Sequence, residues 1–321
     1  GMNTVMTIHE SIDMSVMIGT LRLDNPVMTA SGTFGYGQEY APFCDLDALG
    51  AIIVKGLSRR PRSGNPPPRI METPSGLLNA VGLQNIGVEA FIREKLPFLR
   101  QCRCPVIANI YGETVDEYQE VAALLSEADG VAALEVNISC PNVQRGGIAF
   151  GAQPDAAAEV TRRVKSVSAL PVIVKLTPNV ADIAEIARSV AHAGADALSL
   201  INTLTGMSID IETRRPHLAN LTGGLSGPAI RPIAVRMVWQ AAQAVSIPVI
   251  GVGGIMTARD AIEFLIVGAC AVQIGTANFI RPAAALEVVE GIKAYLVRHG
   301  HRSVQEIVGS LNPNGLFISE G

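Results

Sequence analysis

The most regular feature of the chain is an alternation of short apolar runs with longer amphipathic segments. Each apolar run is four to six residues long and rich in Val, Ile, Leu and Ala, a composition typical of parallel strands buried on both faces. The pattern predicts eight strands, at Val27–Ser31, Ala51–Lys55, Val106–Ile110, Leu134–Ser139, Val172–Leu176, Ala197–Ile201, Val249–Val252 and Ala271–Ile274. Residues 15–25 precede them and predict a hairpin turning at Gly19 and Thr20, placed to plug one end of a barrel.

The segments between the strands carry the start and stop signals of helices. Thr114 with Glu117 three residues later predicts a capping box, and Thr257 to Asp260 opens another helix that ends at Gly268. Pro228 suits the first position of a helix. Similar turns recur where a helix passes to a strand, near Gly50 and at Gly194 and Gly268, which indicates one structural unit used several times.

Eight strand–helix units in a chain of 321 residues predict a (β/α)8 TIM barrel, an α/β fold. An open doubly wound sheet is the alternative, but no G-x-G-x-x-G fingerprint follows the first strand. We expect one barrel domain over residues 1–321, with residue 1 a tag remnant. Two connections, Gly56–Asn85 and Met207–Gly227, are too long for simple turns, so we expect them to lie over the active site.

Composition narrows the class of function. The formal net charge of −4 offers no basic surface for nucleic acid, and no apolar run reaches the roughly 20 residues of a membrane span. An odd number of cysteines, five, favours a reducing cytoplasmic setting over a disulfide framework. Cys102 and Cys104 form a C-x-C pair without further ligands at metal-binding spacing, so we predict no metal site.

The carboxyl ends of barrel strands converge on the active site, and here they are unusually polar. They carry Ser31, Lys55, Asn109, Asn137, Lys175, Asn202, Thr203, Gly253, Gly254, Gly275 and Thr276. One lysine at a strand end is commonly solvated or paired, but two lysines with three asparagines indicate an anionic ligand. Glycines after the seventh and eighth strands either turn the chain or bind a phosphate through bare N–H groups, and their occurrence in successive units favours phosphate.

The stretch Glu135–Asn142, EVNISCPN, ends one strand in a thiol followed by a proline. Most buried cysteines only pack, as we expect of Cys44 and Cys270. Cys140 instead lies beyond its strand, before the glycine-rich segment 143–151, a candidate lid. A thiol with a pKa of about 8.5 is mostly protonated at neutral pH, so catalysis needs help from its surroundings. No histidine is near in sequence to form an acyl-transfer dyad.

At these residues the chain resembles the dihydroorotate dehydrogenase family. The matching segments occur in order from about Leu23 to Asn278: ASGTFGYG at Ala30, NAVGLQN at Asn79, EVNISCPN at Glu135, INTLTGM at Ile201, GGLSGPAIRP at Gly223, GVGGI at Gly251 and QIGTA at Gln273. Cys140 is similar to the base of class 1 members, whereas class 2 has serine there. NAVGLQN and CPNVQRGG resemble the class 1B catalytic subunit.

The resemblance implies an FMN enzyme of pyrimidine biosynthesis that oxidises dihydroorotate to orotate, with Cys140 and Lys55 as catalytic residues. It implies FMN contacts at Ser31, Lys55, Gly56, Asn109, Asn137, Lys175, Ile201, Gly227, Gly253, Gly254, Gly275 and Thr276. It implies substrate contacts at Lys55, Asn79, Ala80, Val81, Gly82, Leu83, Asn137, Asn142, Asn202 and Thr203. It also implies a homodimer, or a heterotetramer with a second subunit that carries FAD and a 2Fe–2S cluster and passes electrons to NAD.

Three alternatives remain at the level of sequence. One is the class 1A homodimer, which uses fumarate as electron acceptor. Another is a flavin-free lyase or isomerase for a phosphorylated substrate, with Lys175 forming a Schiff base. The third is a non-catalytic scaffold that retains the barrel.

Overall fold

The computed structural model of the protein describes residues 12–141 and 143–314. Its strands are β1 (Val16–Ile18), β2 (Leu21–Leu23), β3 (Val27–Thr29), β4 (Ala51–Leu57), β5 (Ile70–Thr73), β6 (Gly76–Asn79), β7 (Val106–Ile110), β8 (Ala133–Asn137), β9 (Val172–Lys175), β10 (Ala197–Leu200), β11 (Leu204–Met207), β12 (Ile209–Asp210), β13 (Arg215–Pro216), β14 (Thr222–Ser226), β15 (Val249–Val252) and β16 (Ala271–Ile274).

Its helices are α1 (Val88–Ala90), α2 (Leu96–Leu99), α3 (Val115–Glu127), α4 (Pro154–Val167), α5 (Ile183–His192), α6 (Arg231–Ala244), α7 (Ala258–Val267), α8 (Ala277–Ile280) and α9 (Ala284–Arg298). A π-helical turn, Phe91–Lys95, joins α1 to α2. Short 3-10 turns occur at Gln38–Tyr40, Leu46–Ala48, Val143–Arg145, Phe150–Ala152, Pro228–Ile230 and Val304–Glu306.

Eight parallel strands close into a barrel in chain order, β3-β4-β7-β8-β9-β10-β15-β16, and the last pairs with the first. The predicted TIM barrel is therefore confirmed, and the open doubly wound sheet is wrong. All eight predicted strands are present with small shifts at their ends. β4 continues two residues past Lys55, whereas β8 stops at Asn137, two residues before Ser139. Helices α3 to α7 and α9 surround the strands.

The predicted hairpin is the antiparallel pair β1–β2, and it lies below the amino ends of the barrel strands. A Cβ added at Gly19, in its turn, would lie 3.3 Å from Cβ of Asp196, just before β10. Ile18 and Leu23 are fully buried against the barrel core. The hairpin thus closes the end of the barrel opposite the polar strand ends.

Helix termini largely follow the predicted caps. Thr257 and Asp260 form the full capping box of α7. At α3, Thr114 Oγ1 accepts from the Glu117 N–H, but the Glu117 carboxylate accepts from the N–H of Glu113 instead of that of Thr114. Pro228 opens the 3-10 turn that leads into α6. The residues at which these helices begin determine where the preceding loops pass over the open end of the barrel.

The two long connections are more regular than the sequence predicts, because they pair into a four-stranded antiparallel sheet, β11-β14-β6-β5. β6 comes from the first connection and β14 from the second, with Leu78 opposite Leu225. Leu78, Ala80 and Leu218 form a small apolar cluster beneath the sheet. We call this sheet the cap, because it lies over the mouth of the barrel, where its residues line the same cavity as the strand ends.

The carboxylate of Glu135, on β8, is fully buried in the barrel interior. It accepts hydrogen bonds from Asn109 Nδ2 of β7 at 2.7 Å, Ser199 Oγ of β10 at 3.0 Å and Gln273 Nε2 of β16 at 2.7 Å. A buried carboxylate is tolerated only when donors replace its hydration. This group therefore ties four strands together just below the mouth.

We expect Glu135→Ala to lower the free energy of unfolding by about 3 kcal/mol, because three buried donors lose their acceptor at roughly 1 kcal/mol each. Urea unfolding followed by circular dichroism measures it. The control is Glu290→Ala on the exposed face of α9, expected within about 0.5 kcal/mol of the unmodified protein. Equal stability of the two variants would show that the carboxylate does not hold the strands.

Candidate active site

A cavity of about 740 Å³ lies between the carboxyl ends of the barrel strands and the cap. This volume falls within the roughly 300–1,000 Å³ of typical ligand sites. The cavity brings together all the sequence-predicted site residues that the structure describes: Ser31, Lys55, Gly56, Asn79, Ala80, Val81, Gly82, Leu83, Asn109, Asn137, Cys140, Lys175, Ile201, Asn202, Thr203, Gly227, Gly253, Gly254, Gly275 and Thr276. Asn142, a predicted substrate contact, lies outside the described residues.

Two lysines on the cavity wall form no ion pair with a carboxylate of residues 12–141 or 143–314. Lys175 is 7% exposed at the end of β9, and Lys55 is partly buried within β4. Among the described residues, neither ammonium lies within 4.0 Å of a carboxylate. Burial lowers the pKa of Lys55, and the positive charge of Arg69 adds to this. Partly desolvated cations without counter-ions favour an anionic ligand.

The loops after β14, β15 and β16 offer backbone donors at one end of the cavity. The N–H groups of Gly253, Gly254, Gly275 and Thr276 donate to no other described residue. Gly254 has a φ of +71°, and a Cβ there would lie 2.7 Å from the Gly227 carbonyl oxygen and 2.8 Å from Cβ of Arg231. Only glycine permits this approach between the loops. Together these free N–H groups can bind a phosphate.

An amide cluster orients the donors at the centre of the cavity. Asn137 Oδ1 accepts from Asn202 Nδ2 at 3.1 Å and from the Ser139 N–H at 3.0 Å. Asn202 also donates to Ser139 Oγ at 2.9 Å, and its Oδ1 accepts from the Thr203 N–H at 2.8 Å. With the oxygen of Asn137 engaged, its Nδ2 has no acceptor among the described residues and is available to a ligand.

The segment 79–83 continues β6 along the cavity wall, and hydrogen bonds from Asn65 and Tyr111 hold its backbone in place. Asn65 donates from its backbone N–H to the Val81 carbonyl at 2.9 Å and from Nδ2 to the Ala80 carbonyl at 2.8 Å. The Tyr111 hydroxyl donates to the carbonyl of Leu83 at 2.8 Å. Leu83 has a φ of +57°, which these bonds maintain. The segment is therefore organised before any ligand binds.

Cys140 lies on the cavity wall, yet it is only 3% exposed. Burial raises the pKa of its thiol to about 12, although a hydrogen bond with the Tyr118 hydroxyl and the charge of Arg62 lower it. Burial raises the pKa by more than these two effects lower it, because burial disfavours the charged thiolate. The backbone holds the residue in place, since the Phe150 N–H donates to the Cys140 carbonyl at 3.0 Å. Cys140 is thus a protonated thiol at neutral pH.

Several residues around the site were not singled out from the sequence. Thr177 and Asn179 line the cavity just beyond β9, and Asn179 donates to the Thr203 carbonyl at 3.3 Å. Listing residues further past each strand end would have found them. Asn65 and Tyr111 act on backbone carbonyls of a segment distant in sequence, and no local pattern marks such contacts.

Within residues 12–141 and 143–314, His, Cys, Asp and Glu side chains nowhere gather in threes that could bind a metal ion. The helices in the same ranges are all too short or too polar to cross a membrane.

We expect alkylation of Cys140 by iodoacetamide to speed up roughly tenfold per pH unit between about pH 7 and 10, because its thiolate fraction grows at that rate below the raised pKa. Peptide mass spectrometry separates Cys140 from the other four cysteines. A rate that levels off near about pH 9 would instead indicate an ordinary, hydrated thiol.

Comparison with known proteins places this geometry in a family. Residues 13–296 match the family described as dihydroorotate dehydrogenase. The chain is 61% identical over 299 residues to the dihydroorotate dehydrogenase B (NAD(+)) catalytic subunit of Geotalea uraniireducens (strain Rf4), 60% identical to that of Geotalea daltonii and 58% identical to that of Desulforamulus reducens. Each match covers 93% of this chain and 98% of the relative. The chain therefore belongs to the dihydroorotate dehydrogenase family.

Proposed function

We propose that this chain is an FMN-dependent catalytic subunit that oxidises dihydroorotate to orotate in pyrimidine biosynthesis. The observation that carries the proposal is the buried thiol of Cys140 in the wall of a cavity that also holds two unpaired lysines and an ordered amide cluster. Such a cavity suits an anionic, planar substrate with ring amides. The relatives reported above are called dihydroorotate dehydrogenase B (NAD(+)) catalytic subunits.

The donor set of the cavity fits FMN. The free N–H groups of Gly253, Gly254, Gly275 and Thr276 would hold the phosphate, and Lys175 would face the negative charge of the reduced ring. Further contacts would come from the other residues predicted for the cofactor, namely Ser31, Lys55, Gly56, Asn109, Asn137, Ile201 and Gly227. Bound FMN supplies the acceptor for the hydride that leaves C6 of dihydroorotate.

Cys140 acts as the base that takes the proton from C5 of dihydroorotate. Its sulfur accepts that proton only as a thiolate, so the raised pKa leaves a small active fraction at neutral pH and makes the acceptor strongly basic. Burial in turn excludes water from the place where the proton moves. The rate of the oxidation should therefore rise with pH.

The remaining polar groups orient the substrate. Lys55 would bind its carboxylate, while Asn79, Asn137, Asn202 and Thr203 would bind its ring amides and carbonyls. Residues 80–83 would cover the ring from the cap side, with Asn142 as a further contact. Because Asn65 and Tyr111 hold this segment in advance, little ordering entropy is lost when the substrate binds.

The relatives' names also bear on the electron acceptor. They are called catalytic subunits of an NAD(+)-linked enzyme, which supports a partner subunit and NAD as the electron acceptor. The family resemblance adds that this subunit would carry FAD and a 2Fe–2S cluster and pass electrons to NAD. Assembly would be a homodimer, or a heterotetramer with that subunit. We also propose that the barrel and its cap act as one domain, and that five free thiols suit the cytoplasm.

The experiment that tests this function uses purified chain and dihydroorotate under anaerobic conditions. Absorbance bands near 370 and 450 nm that bleach on addition of dihydroorotate would support it. A colourless protein would instead favour the flavin-free lyase or isomerase. Turnover with fumarate by the chain alone would indicate the class 1A reaction, whereas NAD reduction only with the partner subunit supports class 1B.

We expect Cys140→Ala to slow flavin reduction by dihydroorotate by roughly 10² to 10⁴ while the protein stays yellow, because general-base catalysis contributes about that factor. Stopped-flow absorbance measures the rate. Cys270→Ala is the control, since this cysteine lies off the cavity wall. Unimpaired reduction in Cys140→Ala, or a flat pH profile of the unmodified enzyme between about pH 6 and 9, would exclude Cys140 as the base.

We expect Gly254→Ala to weaken FMN binding at least about tenfold, because the added methyl group clashes with Gly227 and Arg231 and forces the phosphate loop out of position. Quenching of FMN fluorescence by apoprotein measures the Kd. Gly300→Ala is the matched control: Gly300 has the same φ of +71°, but a Cβ there meets nothing within 4 Å. Equal affinities would argue against a phosphate site at Gly254.

A further inference from the structure

The loops after β14, β15 and β16 surround the candidate phosphate site, and an acidic side chain behind the site contacts two of them. Asp260, in the first turn of α7, is buried and does not line the cavity. Its Oδ2 accepts hydrogen bonds from the N–H groups of Met256 at 2.9 Å and Thr257 at 3.2 Å. The carboxylate therefore fixes the backbone of the loop after β15, which also contains Gly253 and Gly254.

The other oxygen of this carboxylate holds the loop after β14. Asp260 Oδ1 forms an ion pair with Nη1 of Arg231 at 2.9 Å, and Arg231 Nε lies 3.6 Å from Glu263. Arg231 opens α6, directly after the 3-10 turn Pro228–Ile230 that follows Gly227. The paired side chains are only 28% and 10% exposed, so salt and water screen them less than a surface pair.

This ion pair spans the place where the two loops approach each other closely. A Cβ added at Gly254 would lie 2.7 Å from the Gly227 carbonyl oxygen and 3.0 Å from the backbone nitrogen of Arg231. The loops therefore cannot move closer together, but contact alone gives little resistance to their moving apart. The ion pair resists that separation because it joins one loop to the other.

The loop after β16 is joined to the same backbone. Arg281, which follows α8, donates from Nη2 to the Met256 carbonyl at 2.9 Å, and its Nε pairs with Glu287 at 3.2 Å. Met256 is thus held at its N–H by Asp260 and at its carbonyl by Arg281. Since α8 begins directly after Thr276, all three loops of the phosphate site are tied together behind the cavity.

We propose that Asp260 is a positioning residue for the phosphate site: paired with Arg231, it holds the loop after β15 against the loop after β14 and so keeps the N–H groups of Gly253 and Gly254 in place for a phosphate. This inference rests on the proposed FMN function. A loop that is ordered in advance binds its ligand without a further entropy cost. Because Asp260 is itself negative, any affinity it gives to a phosphate must come through the loops.

The test compares FMN with riboflavin, which has the same ring system and ribityl chain but no phosphate. Asp260→Asn keeps a side-chain oxygen for the two backbone N–H groups of the loop and removes the charge that pairs with Arg231. We expect it to raise the Kd of the flavin-free full chain for FMN about tenfold and to leave the Kd for riboflavin within about twofold. Quenching of flavin fluorescence measures both constants.

The matched control is Asp196→Asn, at the opposite end of the barrel. Asp196 has the same kinds of partner, because its Oδ2 accepts from Lys165 Nζ at 2.9 Å and from the Val172 N–H at 2.7 Å. It precedes β10 and lies off the cavity wall. Both dissociation constants should equal those of the unmodified chain. An equal loss of FMN affinity in Asp196→Asn would identify general destabilisation as the cause and overturn the proposal.

A charge effect without positioning gives a change of the opposite sign, because removing a negative charge near the phosphate tightens FMN binding. Tighter or unchanged FMN binding in Asp260→Asn, or an equal loss for riboflavin, therefore overturns the proposal. The proposed function is judged on the unmodified chain. If that chain binds FMN no more tightly than riboflavin, the proposed function fails and the inference fails with it.

Should Asp260→Asn not fold, Arg231→Gln breaks the same ion pair from the side of α6. The loss of FMN affinity should again be about tenfold. It should persist in about 1 M salt, where the Debye length is only about 3 Å and a distant positive charge no longer attracts the phosphate. A loss that disappears in this salt would indicate long-range attraction by Arg231 and overturn the proposal.

Discussion

The buried carboxylate of Glu135 is the constraint on which the barrel mouth depends. A carboxylate deep among strands must keep every donor that replaces water, so Asn109, Ser199 and Gln273 have little freedom to turn away. Asn109 also lines the cavity. Asn109 therefore belongs both to the hydrogen-bond network of Glu135 and to the cavity wall. The position of the cavity floor thus depends on how the four strands of that network pack.

The burial of Cys140 excludes water from its thiol but also disfavours the thiolate form. Burial that keeps water from the thiol also raises the pKa of that thiol to about 12. The neighbouring hydroxyl of Tyr118 and the charge of Arg62 recover part of this loss. In the proposed role of Cys140 as base, a thiol that is rarely deprotonated but strongly basic as a thiolate would suit the removal of a weakly acidic carbon-bound proton.

The barrel and most of the cavity residues could be predicted because their signals are local. Buried parallel strands appear as apolar runs, and the strand-end rule finds Lys55, Asn137 and Lys175 without any knowledge of contacts. The cap could not be predicted in this way. β14 contains Gly223 and Gly224 and is only partly buried, so it lacks the alternation that marks a strand. Its existence depends on pairing with β6, which is distant in sequence.

Contacts between segments that are distant in sequence could not be predicted either, because no local pattern indicates them. The spacing of apolar residues in α3 predicts that Tyr118 is packed, but it does not predict the hydrogen bond from its hydroxyl to the Asn137 carbonyl at the end of β8. Glu135 likewise occupies an inward position that a polar residue rarely takes, and only the three donors from other strands explain it.

The pairing of β6 with β14 also bears on how the protein is made. The hydrogen bond from Ser226 to Leu77 joins residues 149 positions apart, and barrel strands β7 to β10 lie between them. At synthesis rates of about 5–20 residues per second, the β5–β6 hairpin leaves the ribosome some 7 to 30 s before its partner strand. During that interval the edge of β6 that will pair with β14 has no partner in its own chain. A nascent chain can therefore build more than half of its barrel while that edge remains open to pairing with other strands.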